Sequence, residues 1–219
     1  MNSFIDGPLT ADTGFLLREV GGLLGIEAKR VEYIRKREVF SDAMSYRLKH
    51  RLKTHVMVRA WGIPLIAFSL KYEEKMSFSL RHSLFAEMGG YLRDHWDELC
   101  SDPSAAKFFV YENESVLIAP GEEIEAVLTD AIRFHAAMNK FTSDPDVQDD
   151  KAIFRGTEIN AYEVAKLVKE SGLAATLEAY PMLKRDDIKA ALLYATLHPR
   201  GGRPKGVPNK PKEEHLQST

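Results

Sequence analysis

The chain has 219 residues, more than one average domain, and 44% of them are hydrophobic, so one or two modest cores are expected. Its single cysteine, Cys100, excludes an internal disulfide and a thiolate-rich zinc site. The N-terminus lacks the charged and apolar regions of a signal peptide, and no stretch approaches the roughly 20 apolar residues that span a bilayer. We therefore expect a cytoplasmic protein without a membrane segment.

Charge is distributed unevenly, although the formal net charge is only −2. Residues 27–53 contain nine Lys and Arg against four acids, whereas residues 87–150 contain four Lys and Arg against fifteen acids. Residues 198–212 carry five basic residues and no acid. Such asymmetry is typical of a nucleic-acid-binding protein with a separate protein-binding surface, and a solvated charged face is an equal alternative.

Residues 14–40 have the pattern of a helix-turn-helix. An apolar first helix is expected to end at Gly25, because glycine accepts the left-handed conformation that closes a helix. Ile26 would then pack back over this helix. An ordinary amphipathic pair of helices with a basic outer surface remains the alternative.

The second helix of this pair is predicted over residues 28–37, with Val31, Ile34 and Val39 pointing inward. Its exposed faces would then carry the basic side chains that a groove-facing helix requires. These are Lys29, Arg30, Arg35, Lys36 and Arg37.

The middle of the chain starts with an apolar run over residues 54–71 whose structure stays open, since Pro64 argues against an uninterrupted helix. Helical spacing returns over residues 77–99, where Gly89-Gly90 could break or kink the helix. Its predicted core stripe is Leu80, Leu84, Met88, Leu92 and Leu99.

Alternating residues over 108–121 predict a small β-hairpin, which must pack on helices because two strands alone are not stable. One amphipathic helix is expected over residues 122–141. Residues 142–150 have the composition of a linker, which places a domain boundary near residue 150.

Three helical stretches follow residue 155, and Gly172 and Pro181 separate them. The last stretch spans roughly residues 184–196, with Asp186 and Asp187 in its first turn, where negative charge suits the helix dipole. This spacing predicts a trihelical helix-turn-helix. Its shared core would be Val164, Leu167, Val168, Leu177, Tyr180, Leu183, Ile188, Ala191 and Leu192.

The same segment reads RGTEINAYEVAKLVKESGLAATLEAYPMLKRDDIKAALLYA and resembles the domain of unknown function 433 family, small bacterial helix-turn-helix modules common among antitoxins. It departs from the family at Glu158, where Arg is usual, and at Asn160, where Pro is usual. The matching residues are Gly156, Thr157, Ile159, Leu177, Tyr180, Pro181, Asp187, Ile188, Ala190, Ala191, Leu192, Tyr194 and Ala195.

The order of parts resembles the longer VapB-type antitoxins that accompany PIN-domain ribonuclease toxins. The parts are an N-terminal helix-turn-helix domain over residues 1–145, the module over residues 151–197 and a basic flexible tail over residues 198–219. The resemblance implies that the protein neutralises a PIN-type toxin and represses its own operon by binding double-stranded DNA as a homodimer. We expect Lys184, Arg185 and Lys189 to lie near that DNA.

The tail contains HPRGGRPKGVPNKPK and resembles an AT-hook, with one glycine inserted into the usual core. Arg200, Arg203 and Lys205 would enter the narrow minor groove of A·T-rich DNA, because prolines keep the chain extended and glycines allow close approach. A disordered basic tail is the alternative, and even that would add nonspecific phosphate affinity.

No catalytic or cofactor-binding motif is present, so we expect a mainly α protein that is not an enzyme and needs neither cofactor nor metal. The pattern at His95 with Asp94 and Asp97 does not favour a metal site, because neighbours on a helix face different ways. A stand-alone transcription regulator and a pure protein-interaction module remain alternatives to an antitoxin.

Deletion of residues 199–219 should leave thermal stability nearly unchanged, because this segment lacks the apolar residues to hold itself on a core. It should weaken DNA binding and flatten the slope of log affinity against log salt by about one unit per lost phosphate contact. Fluorescence-anisotropy titrations over a salt series measure the DNA affinity and this slope. A larger loss of affinity on A·T-rich than on G·C-rich sites would indicate an AT-hook, and equal losses would indicate a nonspecific arm. No loss on either kind of site would contradict a binding role.

Overall fold

The computed structural model describes residues 7–37, 41–50, 53–112, 117–142 and 152–199. It is mainly helical with small antiparallel sheets, which confirms the predicted fold class.

The N-terminal elements alternate between short helices and a three-stranded sheet. They are β1 (Gly14–Leu16), α1 (Leu17–Leu24), α2 (Ala28–Arg37), α3 (Ser41–Met44), β2 (Ser45–His50) and β3 (Lys53–Arg59). The middle is largely helical. It contains α4 (Gly62–Tyr72), α5 (Phe78–Asp94), α6 (Trp96–Ser101), a 3₁₀ helix (Pro103–Phe108), β4 (Tyr111–Glu112), β5 (Leu117–Ile118) and α7 (Gly121–Met138). The C-terminal elements are β6 (Phe141–Thr142), β7 (Ile153–Phe154), α8 (Ala161–Ala179) and α9 (Arg185–Leu197).

The turn between α1 and α2 is closed by glycine, as predicted. Gly25 has a φ of 65° in the left-handed region, and the Ile26 N–H donates to the Gly21 carbonyl oxygen at 2.8 Å. A Cβ at Gly21 would lie 2.6 Å from the Ile26 carbonyl oxygen, so the turn can close this tightly only over glycine. On α2, Val31 and Ile34 are buried as expected, whereas Val39 lies outside the described residues.

The three-stranded sheet was not predicted. Residues 14–16 form the strand β1 rather than the start of a helix, and the order in the sheet is β1-β3-β2, all antiparallel. Phe15 pairs with Val58, and both side chains are fully buried. This burial explains why the apolar residues at the start of the segment form a strand. The run over 54–71 is therefore a strand followed by a helix. Pro64 sits in the first turn of α4, where its missing N–H costs no helical hydrogen bond.

Helix α5 starts at the cap of Ser77, whose Oγ accepts the Leu80 N–H at 3.2 Å. It runs without interruption through Gly89-Gly90, and Gly89 lies so close to the Trp61 ring that a Cβ would meet it at 3.1 Å. The predicted stripe is confirmed, since Leu80 is partly buried and the others are fully buried: Leu84, Met88, Leu92 and Leu99. The predicted hairpin is present as β4 paired with β5, and its connection lies outside the described residues.

The three helices predicted after residue 155 are present. Gly172 interrupts α8 with φ 83° and ψ 173°, so this element is two helices joined at a sharp bend, and α9 is the third. Of the predicted core, Val164, Leu183, Ile188 and Ala191 are buried and the remaining members are partly buried. Tyr194 was not among the predicted core residues, yet its ring is buried. The centre of this ring lies 5.1 Å from that of Phe141 and 5.7 Å from that of Tyr162.

The C-terminal helices pack against the rest of the chain. The strand β6, which follows α7, pairs with β7, and Lys140 Nζ donates to Asp187 Oδ1 at 2.6 Å. The Leu197 side chain covers Gly22 of α1, where a Cβ would lie 1.9 Å from Leu197 Cδ2. One continuous apolar core includes residues from both sides of the predicted linker. Most of that linker, residues 143–150, lies outside the described residues, so the domain boundary stays a prediction.

Replacing Asp187 by Asn should lower the free energy of unfolding at neutral pH by about 1 kcal/mol, because the charged hydrogen bond to Lys140 is lost. Burial raises the pKa of Asp187, but hydrogen bonds from Lys140 and the Lys184 amide outweigh it, and the net pKa is lowered from 3.8. A carboxyl whose pKa is lower in the folded than in the unfolded state stabilises the folded protein at pH values above the unfolded-state pKa. This stabilisation is lost as the pH falls through the folded-state pKa. Urea titrations should therefore show the difference at pH 7 and a smaller one below about pH 4.

The matched control is Asp186→Asn, because Asp186 occupies the same helical turn but its side chain is 78% exposed. Both changes remove one negative charge from the N-terminus of α9. Equal losses in the two variants would show that the helix dipole, and not the Lys140 contact, accounts for the effect.

Candidate nucleic-acid interface

Helix α2 presents an exposed face opposite its buried side. Val31 and Ile34 are 0% and 1% exposed and fix this helix on the core. Because of the helical spacing, one aromatic and several basic side chains lie on the opposite side of the helix, and all of them are exposed. They are Lys29, Arg30, Tyr33, Lys36 and Arg37.

Glu73, the residue that follows α4, holds two of these cations. Its carboxylate forms ion pairs with both Arg30 and Arg37. Their guanidinium groups lie 5.1 Å and 5.9 Å from the centre of the Tyr33 ring, at cation–π distance. Tyr33 is therefore flanked by two oriented arginines, whose charge Glu73 partly neutralises.

Arg35 is not on an exposed face, so that part of the prediction is wrong. Its side chain is only 12% exposed, and its Nε and Nη2 donate to Glu32 at 2.8 and 3.0 Å. Its Nη1 donates to Ser45 Oγ of β2 at 3.2 Å. The hydrogen bond from Arg35, together with that from Lys36, outweighs burial and lowers the pKa of Glu32. Arg35 thus joins the end of α2 to the sheet, whereas Lys36 stays 66% exposed despite its 3.1 Å ion pair with Glu32.

Lys29 is exposed, and no ion pair joins it to another residue of the described chain. Lys29 lies in the first turn of α2. In helix-turn-helix proteins, the N-terminal residues of the recognition helix contact base edges. Among the predicted residues of this helix, Lys29 has the positive charge least compensated by the part of the chain that the structure describes.

Strands β2 and β3 form a two-stranded ribbon that continues from the sheet. Arg47 pairs with Val56 and Lys49 with Thr54, so these four side chains lie on one face. Arg47 and Lys49 are both exposed. A cavity of about 230 Å³ lies between the end of α2 and this ribbon, and Arg35, Ser45, Tyr46, Arg47 and Val56 line it.

Arg47 and Lys49 belong to the basic residues of 27–53, but their place in a strand was not predicted. The alternation of Tyr46, Arg47, Leu48 and Lys49 was the available signal for a strand. It covers few residues, and the partner strand is recognisable only once the pairing with β3 is known.

The predicted C-terminal contacts lie at the start of α9. Lys184 precedes the helix, and its N–H donates to Asp187 Oδ2 at 2.8 Å, while its side chain and that of Arg185 are exposed. Lys189 is exposed and lies 3.4 Å from Asp186 Oδ1. The first turn of α9 therefore carries charges of both signs and has a weaker positive potential than the exposed face of α2.

Arg200, Arg203 and Lys205 of the tail lie outside the described residues. The described chain ends just after His198, whose side chain is buried against Glu19 of α1. The last described residues of the chain therefore lie beside α1.

The acidic middle is partly neutralised within the chain. Glu123 forms an ion pair with Lys71, whose hydrogen bond outweighs burial and lowers the pKa of the Glu123 carboxyl. Glu125 lies 2.9 Å from Lys107. At the junction of α5 and α6, in contrast, exposed carboxylates line a cavity of about 250 Å³. They belong to Asp94, Asp97 and Glu98.

None of the described helices is both long and apolar enough to cross a bilayer. Within the described ranges, no three His, Cys, Asp or Glu side chains are grouped so that they could hold a metal ion.

The C-terminal helices belong to a known family. Residues 142–195 match the family described as "Protein of unknown function (DUF433)", which confirms the resemblance of this segment. A protein of Sinorhizobium fredii, named "Uncharacterized protein y4eO", is 36% identical over 69 residues, 31% of this chain and 31% of that protein. The match thus spans under a third of the relative's length, and no solved structure matches. Residues 142–195 are a DUF433 domain.

Proposed function

We propose that this protein is a DNA-binding antitoxin, which represses its own operon and neutralises a PIN-type ribonuclease. The observation that carries the DNA-binding part is the exposed face of α2. Arg30 and Arg37 flank Tyr33 on a face of α2 that also exposes Lys29 and Lys36, and the Gly25 turn joins this helix to α1. The antitoxin part rests on the resemblance of the DUF433 domain to antitoxin modules.

The major groove of B-DNA admits one α-helix, and the first turns of a recognition helix contact base edges. Lys29 and Arg30 occupy the first turn of α2, and either side chain can donate to guanine O6 and N7. Arg37, one turn beyond Tyr33, lies toward the other end of the helix, where phosphate contacts position the protein. Glu73 keeps Arg30 and Arg37 oriented before DNA binds, which reduces the entropy lost on binding.

A second DNA contact is assigned to the start of α9, through Lys184, Arg185 and Lys189. Asp186 reduces the attraction of this turn for phosphate, so we expect a smaller contribution than from α2. As a homodimer, the protein would present each element twice and bind two half-sites.

Toxin binding is assigned to the acidic surface formed by Asp94, Asp97 and Glu98. A ribonuclease binds polyanionic RNA through a basic surface, and carboxylates can cover such a surface by charge complementarity. The exposed position of all three side chains at the α5–α6 junction supports this assignment.

A stand-alone transcription regulator without a toxin is the second candidate. The intrachain ion pairs of Glu123 and Glu125 favour it, because they leave less acidic surface for a partner than the sequence composition indicates.

Lys29→Ala should weaken binding to the sequence upstream of the gene more than to a mixed-sequence duplex, by roughly tenfold or more, since base contacts discriminate between sites. The double change Lys184→Ala with Arg185→Ala should weaken both, less strongly, without unfolding the protein. Gel-shift titrations and circular-dichroism melting measure these effects. Unchanged affinity of the double variant would remove the DUF433 domain from the DNA interface, and no binding by the unaltered protein would refute the proposal.

Reversing three charges, Asp94→Lys, Asp97→Lys and Glu98→Lys, should abolish co-purification with the protein of the neighbouring PIN-type gene, because two basic surfaces repel each other. DNA binding should persist. Lys29→Ala is the control and should retain the toxin. Co-purification that survives the triple change would place toxin contact elsewhere, and a gene neighbourhood without any PIN-type protein would favour the stand-alone regulator.

A further inference from the structure

The N-terminal region contains two groups of basic side chains that differ in how they are compensated. Arg30 and Arg37 share the Glu73 carboxylate, and Arg35 is bound by Glu32. The second group is exposed, and none of its members has an ion pair within the described chain. It consists of Arg18, Lys29, Arg47 and Lys49. Two of these four lie on the β2–β3 ribbon.

Few acids offset this second group. Glu19 is buried, and its carboxylate accepts the Leu16 N–H and lies 3.2 Å from His198 Nε2. Glu32 forms ion pairs with Arg35 and Lys36. Glu27, in the turn between α1 and α2, is an exposed carboxylate. Among the described side chains of α1, α2, the turn between them and the ribbon, exposed cations without an ion pair to a described residue therefore outnumber exposed carboxylates.

Burial along the ribbon changes from one end to the other. Ser45 and Val58, which pair at its inner end, are buried, whereas Arg47 and Lys49 on the same face are exposed. Residues two apart on a strand lie about 7 Å apart on one face. The ribbon is thus anchored in the core at one end and extends two neighbouring cations into solvent at the other.

The ribbon is fixed relative to α2. Arg35, near the C-terminal end of α2, donates to Ser45 Oγ at 3.2 Å, and the cavity between them is lined on its other side by Arg47. A helix that lies in the major groove has the phosphate backbone along both of its sides. An element attached to the end of that helix lies beside this backbone.

We propose that the β2–β3 ribbon is a phosphate-binding element of the DNA interface, in which Arg47 and Lys49 bind neighbouring phosphates of one strand next to the groove that α2 occupies. This inference rests on the proposed DNA binding and extends it to residues outside the two helix-turn-helix elements. Phosphate contacts position a protein without reading sequence, so the ribbon sets the register of α2.

The test combines Arg47→Ala with Lys49→Ala in the full-length protein. Affinity is measured at several salt concentrations for the duplex upstream of the gene and for a mixed-sequence duplex of equal length. Loss of two phosphate contacts should lower the magnitude of the slope of log affinity against log salt by about 2. Affinity at low salt should fall by roughly tenfold or more per contact, equally on both duplexes.

The matched control is Arg133→Ala with Lys107→Ala, which removes one arginine and one lysine from exposed positions outside both DNA-binding elements. It should leave the slope nearly unchanged, which separates local contact from net charge. Exchange of the two ribbon residues, Arg47→Lys with Lys49→Arg, should restore the slope because both charges remain.

A ribbon variant with the salt slope and affinity of the unaltered protein would overturn this inference, while the DNA-binding proposal would stand. A loss confined to the upstream duplex would also overturn it, because it would indicate base reading rather than phosphate binding. If the unaltered protein bound neither duplex, both proposals would fail together. If Lys29→Ala lost DNA affinity and the ribbon variant did not, the DNA interface would be assigned to α2 without the ribbon.

Discussion

The buried carboxylate of Glu19 lies where α1 meets the end of the DUF433 domain. Its Oε2 accepts the Leu16 N–H at 2.7 Å and so caps α1, and its Oε1 lies 3.2 Å from His198 Nε2, at ion-pair distance although not aligned as a hydrogen bond. A buried carboxylate is costly unless its oxygens have polar partners, and the two oxygens of Glu19 face the Leu16 N–H and the His198 ring. The start of α1 and the end of α9 therefore depend on the same side chain.

This junction determines how the two regions can act together. Leu197 lies over Gly22, and Tyr162 donates from its hydroxyl to the His198 carbonyl oxygen at 2.6 Å, so the end of α9 contacts both α1 and α8. Elements packed in one core keep a fixed separation, unlike modules joined by a flexible linker. The spacing between α2 and α9 is then fixed within one chain, and a DNA site bound by both helices, as proposed, would have to match it.

Local signals predicted the glycine-dependent parts of the fold, and non-local pairs explain most of what was missed. Gly25 and Gly172 end helices where the sequence indicated, because the left-handed conformation is read from one residue and its neighbours. The burial of Arg35 depends on Ser45 in another element, and the pairing of Arg30 with Glu73 spans 43 positions. Neither partner is indicated by the periodicity of α2 itself.

The two groups of cations around α2 would contribute differently to DNA affinity. When a phosphate replaces Glu73 at Arg30 and Arg37, the released carboxylate takes up a cation from solution, which offsets part of the counterion release from the DNA. Arg47, Lys49 and Lys29 have no ion pair with a carboxylate of the described chain. Each phosphate contact that they would make in the proposed complex would therefore release DNA counterions without this offset. The salt dependence of the proposed DNA binding would thus be set by the cations that have no ion pair within the described chain. The arginines that Glu73 holds contribute orientation, because their planar groups are already placed on either side of Tyr33.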